Sequence, residues 1–110
     1  MYNRYRWGLS TQFFAPIAAS NSGDNTIVAA VGGRQIRVIK YSIVAAGAVV
    51  VTWKSSTAGA ISGAMAFASN GGISEPEAEA GIMQTAVGED LVLNLGAAVS
   101  VGGMVTYILV

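Results

Sequence analysis

The chain has 110 residues, six basic against six acidic, and neither cysteine nor histidine. That composition excludes disulfides, thiolate nucleophiles and thiolate zinc sites, and it removes the commonest general base and metal ligand. Hydrophobic residues make up 53% and charged residues 11%, more apolar sequence than one small domain can bury alone, so the surplus is expected at contacts between chains.

Residues 1–20, "MYNRYRWGLSTQFFAPIAAS", hold Tyr2, Tyr5, Trp7, Phe13 and Phe14, with Arg4 and Arg6 among them. Gly8 and Pro16 argue against one continuous helix. Arg, Tyr and Trp are enriched at binding hot spots. We therefore expect an N-terminal arm over residues 1–24 that contacts a partner through Tyr2, Arg4, Tyr5, Arg6, Trp7, Phe13 and Phe14. The competing reading is a strand packed on its own subunit. Two arginines support base stacking poorly, and no broad basic surface exists, so nucleic acid is not an expected partner. "NSGDN" at 21–25 is a turn cluster that closes the arm.

From residue 25 to 110 the chain reads as one domain of short apolar runs without a helical period. "TIVAAV" (26–31) ends at Gly32-Gly33, a hairpin-type signal. "RQIRVIKYSIVAA" (34–46) alternates with Arg37, Ile39, Tyr41 and Ile43 on one face and Ile36, Val38, Lys40 and Val44 on the other. From Tyr41 to Trp53 no residue is charged, but these thirteen residues fall short of the roughly 20 a spanning helix needs. They are also rich in β-branched side chains, which favour strands. No membrane partner is expected, and the first residues lack a secretory signal. "AVVVTWK" (48–54) puts Val49, Val51 and Trp53 on one side.

"SSTAG" (55–59) is a loop, "AISGAMAFA" (60–68) a weak strand and "SNGGISEPEAEAG" (69–81) a long connection. "IMQTA" (82–86) is short. "EDLVLNL" (89–95) alternates through Leu91, Leu93 and Leu95. "AVSVGGMVTYILV" (98–110) closes the chain, with Gly102-Gly103 as a bulge or bend. Its Val105, Tyr107 and Leu109 face one layer, and Met104, Ile108 and Val110 another. An apolar outward layer points to association. Met104, Thr106, Ile108 and Val110 are the expected subunit interface.

Several short strands at this spacing indicate an all-β sandwich or barrel. All basic residues lie in the first half, while Glu75, Glu77, Glu79, Glu89 and Asp90 lie in the second. Such asymmetry can pair neighbouring subunits. Glu75, Glu77 and Glu79 lack the Asp, Asn and Gly mix of a calcium loop and read as a solvated loop. Ser55, Ser56, Thr57 and Ser62 cannot form a triad without histidine. "NGGI" at 70–73 is a turn rather than a phosphate loop. No catalytic residue, metal or cofactor is expected, and the chain reads as a non-enzyme.

Three stretches, "NTIVAAVGGRQIRVIKYSIVAA", "VVVTWKSSTAGAISGAMAFASNGGI" and "AVGEDLVLNLGAAVSVGGMVTYILV", stand in an order that resembles small tailed-phage head decoration (cement) proteins. The resemblance covers roughly residues 25–110 and leaves 1–24 outside. It implies a jelly-roll-like antiparallel β-sandwich of about eight strands, assembled as a homotrimer. It further implies a virion protein, made in the host cytoplasm, that binds the major capsid protein and neighbouring decoration trimers and stabilises the shell. The alternative it leaves open is a trimeric receptor- or glycan-binding tip of a tail or head fibre.

Overall fold

The computed structural model describes residues 11–110, and every regular element among them is a strand. In chain order these are β1 (Phe13–Ala19), β2 (Gly23–Val28), β3 (Ile36–Ala45), β4 (Val49–Ser55), β5 (Gly59–Ala60), β6 (Met65–Phe67), β7 (Gly72–Ser74), β8 (Met83–Gln84), β9 (Leu91–Leu95) and β10 (Val101–Leu109). They form two antiparallel sheets. The first has the order β1-β10-β3-β7, with β8 also on β3. The second has the order β2-β9-β4-β5, with β6 also on β4. The chain changes sheet at six of its nine connections, so almost every pairing joins segments far apart in sequence. Among the described residues no helix is long and apolar enough to cross a membrane.

The core lies between the sheets. Ile17, Ile36, Val38, Tyr41, Ile43, Val101 and Val105 come from one side, and Val49, Val51, Trp53, Leu91, Leu93 and Leu95 from the other. The alternation of β4 and β9 follows directly from period-two side-chain geometry. Trp53 is fully buried and meets Tyr41 edge to face, ring centroids 5.2 Å apart. Its buried indole N–H has no hydrogen-bond partner among the described residues.

Five sequence expectations are corrected here. Residues 13–19, assigned to the arm, are β1, paired to β10 from Phe13↔Tyr107 to Ala19↔Val101; Ile17 and Ala19 are buried in the core. Pro16 is tolerated because β1 is an edge strand. The turn cluster is shorter than expected, since β2 already begins at Gly23. Gly32-Gly33 is not a hairpin, because β2 and β3 lie in different sheets.

The fourth correction concerns the faces of β3. Its register with β10 slips between Lys40↔Thr106 and Val38↔Tyr107, leaving Ile39 as an extra residue. This bulge reverses the alternation. Ile36 and Val38 therefore share the core face with Tyr41 and Ile43, while Ile39 is buried outside that cluster. Gly102-Gly103, expected to bend β10, instead stays in register with β3. Gly103 has φ +155°, and a Cβ there would fall 1.9 Å from the Ser42 carbonyl oxygen.

Candidate functional site

The outward face of the first sheet differs from an ordinary solvated sheet. Its residues fall into three rows across β1, β10 and β3. Phe14, Thr106 and Lys40 form one, Pro16, Met104 and Ser42 the next, and Ala18, Gly102 and Val44 the third. Phe14, Met104 and Val44 are 66%, 53% and 57% exposed. Antiparallel sheets normally keep such a face polar. Here three large apolar groups stand exposed.

One edge of this face is a cup of about 160 Å³ lined by Lys40, Ser42, Ser74, Glu75, Met104 and Thr106. Its rim is the segment after β7. The Glu75 N–H donates to the Tyr41 carbonyl (2.9 Å) and the Ala78 N–H to the Ile39 carbonyl (3.1 Å). That segment carries Glu75 half-buried and Glu77 and Glu79 exposed. Among the described residues the one ion pair is Lys54–Asp24, so Lys40 and these three glutamates have no ionic partner there. Burial pushes the Tyr41 hydroxyl up, and the Glu75 charge adds to that shift. The acidic and basic halves of the sequence thus meet in space, because the acidic segment runs beside β3 with its Arg37 and Lys40.

The expected interface residues divide. Met104 is on the exposed face, while Thr106 is nearly buried in the row between Phe14 and Lys40. Ile108 is only 9% exposed and Val110 is half-buried. Ile108 pairs with Arg37, whose guanidinium Nε donates to Gln84 Oε1 at 2.7 Å and whose stem packs under Gly81. Of the expected arm residues, Tyr2, Arg4, Tyr5, Arg6 and Trp7 lie outside the described residues. Phe13 stacks on Tyr107 at 5.4 Å. Phe14 and Val44, the two largest contributors to the face besides Met104, were legible only in part. Phe14 was noted for its aromatic type, whereas Val44 could be seen as outward only once the sheet was known.

The second sheet's outward face is more polar. Lys54 Nζ donates to Asp24 Oδ1 and Oδ2 at 3.1 and 3.2 Å, and Asn94 Nδ2 donates to Asp24 Oδ1 at 2.7 Å. The Asn94 hydrogen bond first, and Lys54 second, hold the Asp24 carboxyl below the usual range. At one end of this face a shallow groove of about 370 Å³ is lined by Ala48, Val50, Ala66, Phe67 and Ala97. The serines flagged by sequence are engaged structurally: the Ser62 hydroxyl accepts from the Trp53 N–H at 2.9 Å, and Ser55 bonds Glu89 at 2.7 Å. Among the described residues no three acidic groups come together as a metal site would require. Comparison with known proteins finds no matching family model, no curated relative and no matching solved structure.

Proposed function

We propose that this chain is a virion structural protein of the head-decoration type, a jelly roll that associates as trimers and adheres to the shell built by the major capsid protein. The observation that carries this reading is the outward face of the first sheet, where Phe14, Met104 and Val44 stand exposed together. An apolar patch of this kind marks an interaction surface. The strand order supports the jelly-roll reading. Two five-stranded sheets face each other, β1-β10-β3-β7 with β8 also on β3 and β2-β9-β4-β5 with β6 also on β4, and each interleaves early and late strands as paired Greek keys do.

Adhesion would come from many copies burying this face across junctions between shell subunits and sister chains, with multivalency raising avidity. The test is co-sedimentation with heads assembled without the protein. Unmodified chain should pellet with them, and Phe14→Asp, a change on an exposed position, should remain folded but stay in the supernatant. Equal pelleting of the two, or no pelleting of the unmodified chain, defeats the reading.

A further inference from the structure

We infer that the cup on the outward face of the first sheet is a binding site for one neutral sugar ring, a hexopyranose either free or at the end of a chain. The inference does not rest on the docking role proposed for that face. The cup spans β10, β3 and the end of β7, while Phe14 stands beyond it on β1.

The cup gathers polar side chains that the fold leaves unused. Lys40, Ser42, Ser74, Glu75 and Thr106 line its 160 Å³ or so. Among the described residues none of the five side chains makes a hydrogen bond or an ion pair. Elsewhere the serines are engaged: Ser55 bonds Glu89, Ser62 accepts from the Trp53 N–H and Ser69 donates to the Ala46 carbonyl. Thr106 is the telling member. It is only 4% exposed, and a hydroxyl at that depth normally has a partner, because leaving it unpaired forfeits its hydration. Its place opposite Lys40, in the outward row with Phe14, and its position in the cup lining aim it at the cup's interior. The partner it lacks is therefore supplied by what the cup holds.

Spacing and charge choose the ligand. Ser42 and Ser74 are direct cross-strand partners, about 5 Å apart at Cβ. Thr106 lies diagonal to Ser42, about 7 Å away, and is two strand spacings from Ser74, ~10 Å. A phosphate-sized ion touches one end of that spread. A ring with hydroxyls on successive carbons reaches all three side chains. The lining holds one cation and one acid, Lys40 and Glu75, so it favours neither an anion nor a cation. A neutral polyol uses both: its hydroxyls accept from the ammonium, donate to the carboxylate and do either with serine and threonine. Met104, 53% exposed, offers an adaptable apolar wall to the C–H face of the ring. The volume equals about five waters, which one such ring displaces.

Saturation-transfer NMR on the full chain tests this, with glucose, galactose, mannose and N-acetylglucosamine and their methyl glycosides as probes. At least one should bind saturably. Binding of a free sugar or of a glycoside supports the site alike, and the glycosides tell a chain end from a free ring. Thr106→Val keeps the shape and removes the hydroxyl, and should weaken binding about five- to tenfold. Ser74 is exposed on the short strand β7, so Ser74→Ala should stay folded and weaken binding likewise. It keeps the test decisive if Thr106→Val fails to fold, which thermal melts reveal. Inorganic phosphate should not compete. Three results overturn the inference: no probe binds and the cup holds water only, binding is unchanged in Ser74→Ala or in a folded Thr106→Val, or phosphate displaces the sugar at equal concentration.

Discussion

Glu89 holds the turn after β4 with one carboxylate. Its Oε1 accepts from the Ser55 hydroxyl (2.7 Å), the Ala58 N–H (2.8 Å) and the Thr57 N–H (2.9 Å). Ser55 in turn accepts from the Ala86 N–H at 3.0 Å, tying the turn to the connection between β8 and β9. The Ser55 hydrogen bond, then those of Ala58 and Thr57, keep the Glu89 carboxyl below its usual range. Asp24 is shifted in the same direction. A carboxylate whose folded pKa is depressed contributes stability that is complete above the unfolded value, about 4, and is lost as pH falls through the folded value. The melting temperature should therefore be flat from pH 7 to about 5 and fall below about 4. Glu89→Gln should lower it at pH 7 and flatten the acid decline. Thermal melts across this range check both, and an unchanged acid decline in the variant would remove Glu89 from the account.

Among elements, β10 is the one on which the first sheet depends, because it pairs with β1 on one side and β3 on the other. Gly103 lets it approach β3: with φ +155° and Ser42 oxygen occupying the space of a Cβ, no other residue fits without backbone movement. Gly103→Ala should cost about 2 kcal/mol or more, read as a lower urea midpoint with an unchanged slope. Gly102, where a Cβ would meet nothing closer than the Ile17 oxygen at 3.8 Å, should accept alanine with little effect and serves as the control. The Ile39 bulge works on the same pair of strands. It rotates the β3 side chains beyond it, so that Val38 and Ile36 reach the core while Lys40 reaches the cup.

For the whole molecule, the decisive property is which apolar groups a single chain covers by itself. Ile108 is covered and Met104 is not. Ile108→Asp should place an unpaired charge in a buried site and destabilise the fold by several kcal/mol. Met104→Asp should change stability by less than about 0.5 kcal/mol yet reduce association. Light scattering beside urea unfolding distinguishes the two variants. If Met104→Asp leaves the association state of the parent chain intact, the outward face of the first sheet is not the contact between copies.

The sequence by itself determined the class of structure: β-branched runs without helical period make strands, and strict alternation in "EDLVLNL" and "AVVVTWK" placed Leu91, Leu93, Leu95, Val49, Val51 and Trp53 inward. These inferences hold because side-chain direction within an unbroken strand depends only on neighbouring residues. The tertiary structure decided the rest. Whether Phe13–Ala19 joins a sheet depends on β10, some ninety residues away. The reversal of faces at Ile39 depends on the register of two strands, and register is a property of the pair. The same reason explains the candidate face. Phe14, Met104 and Val44 come from three distant segments and become one surface only when β1, β10 and β3 are laid side by side.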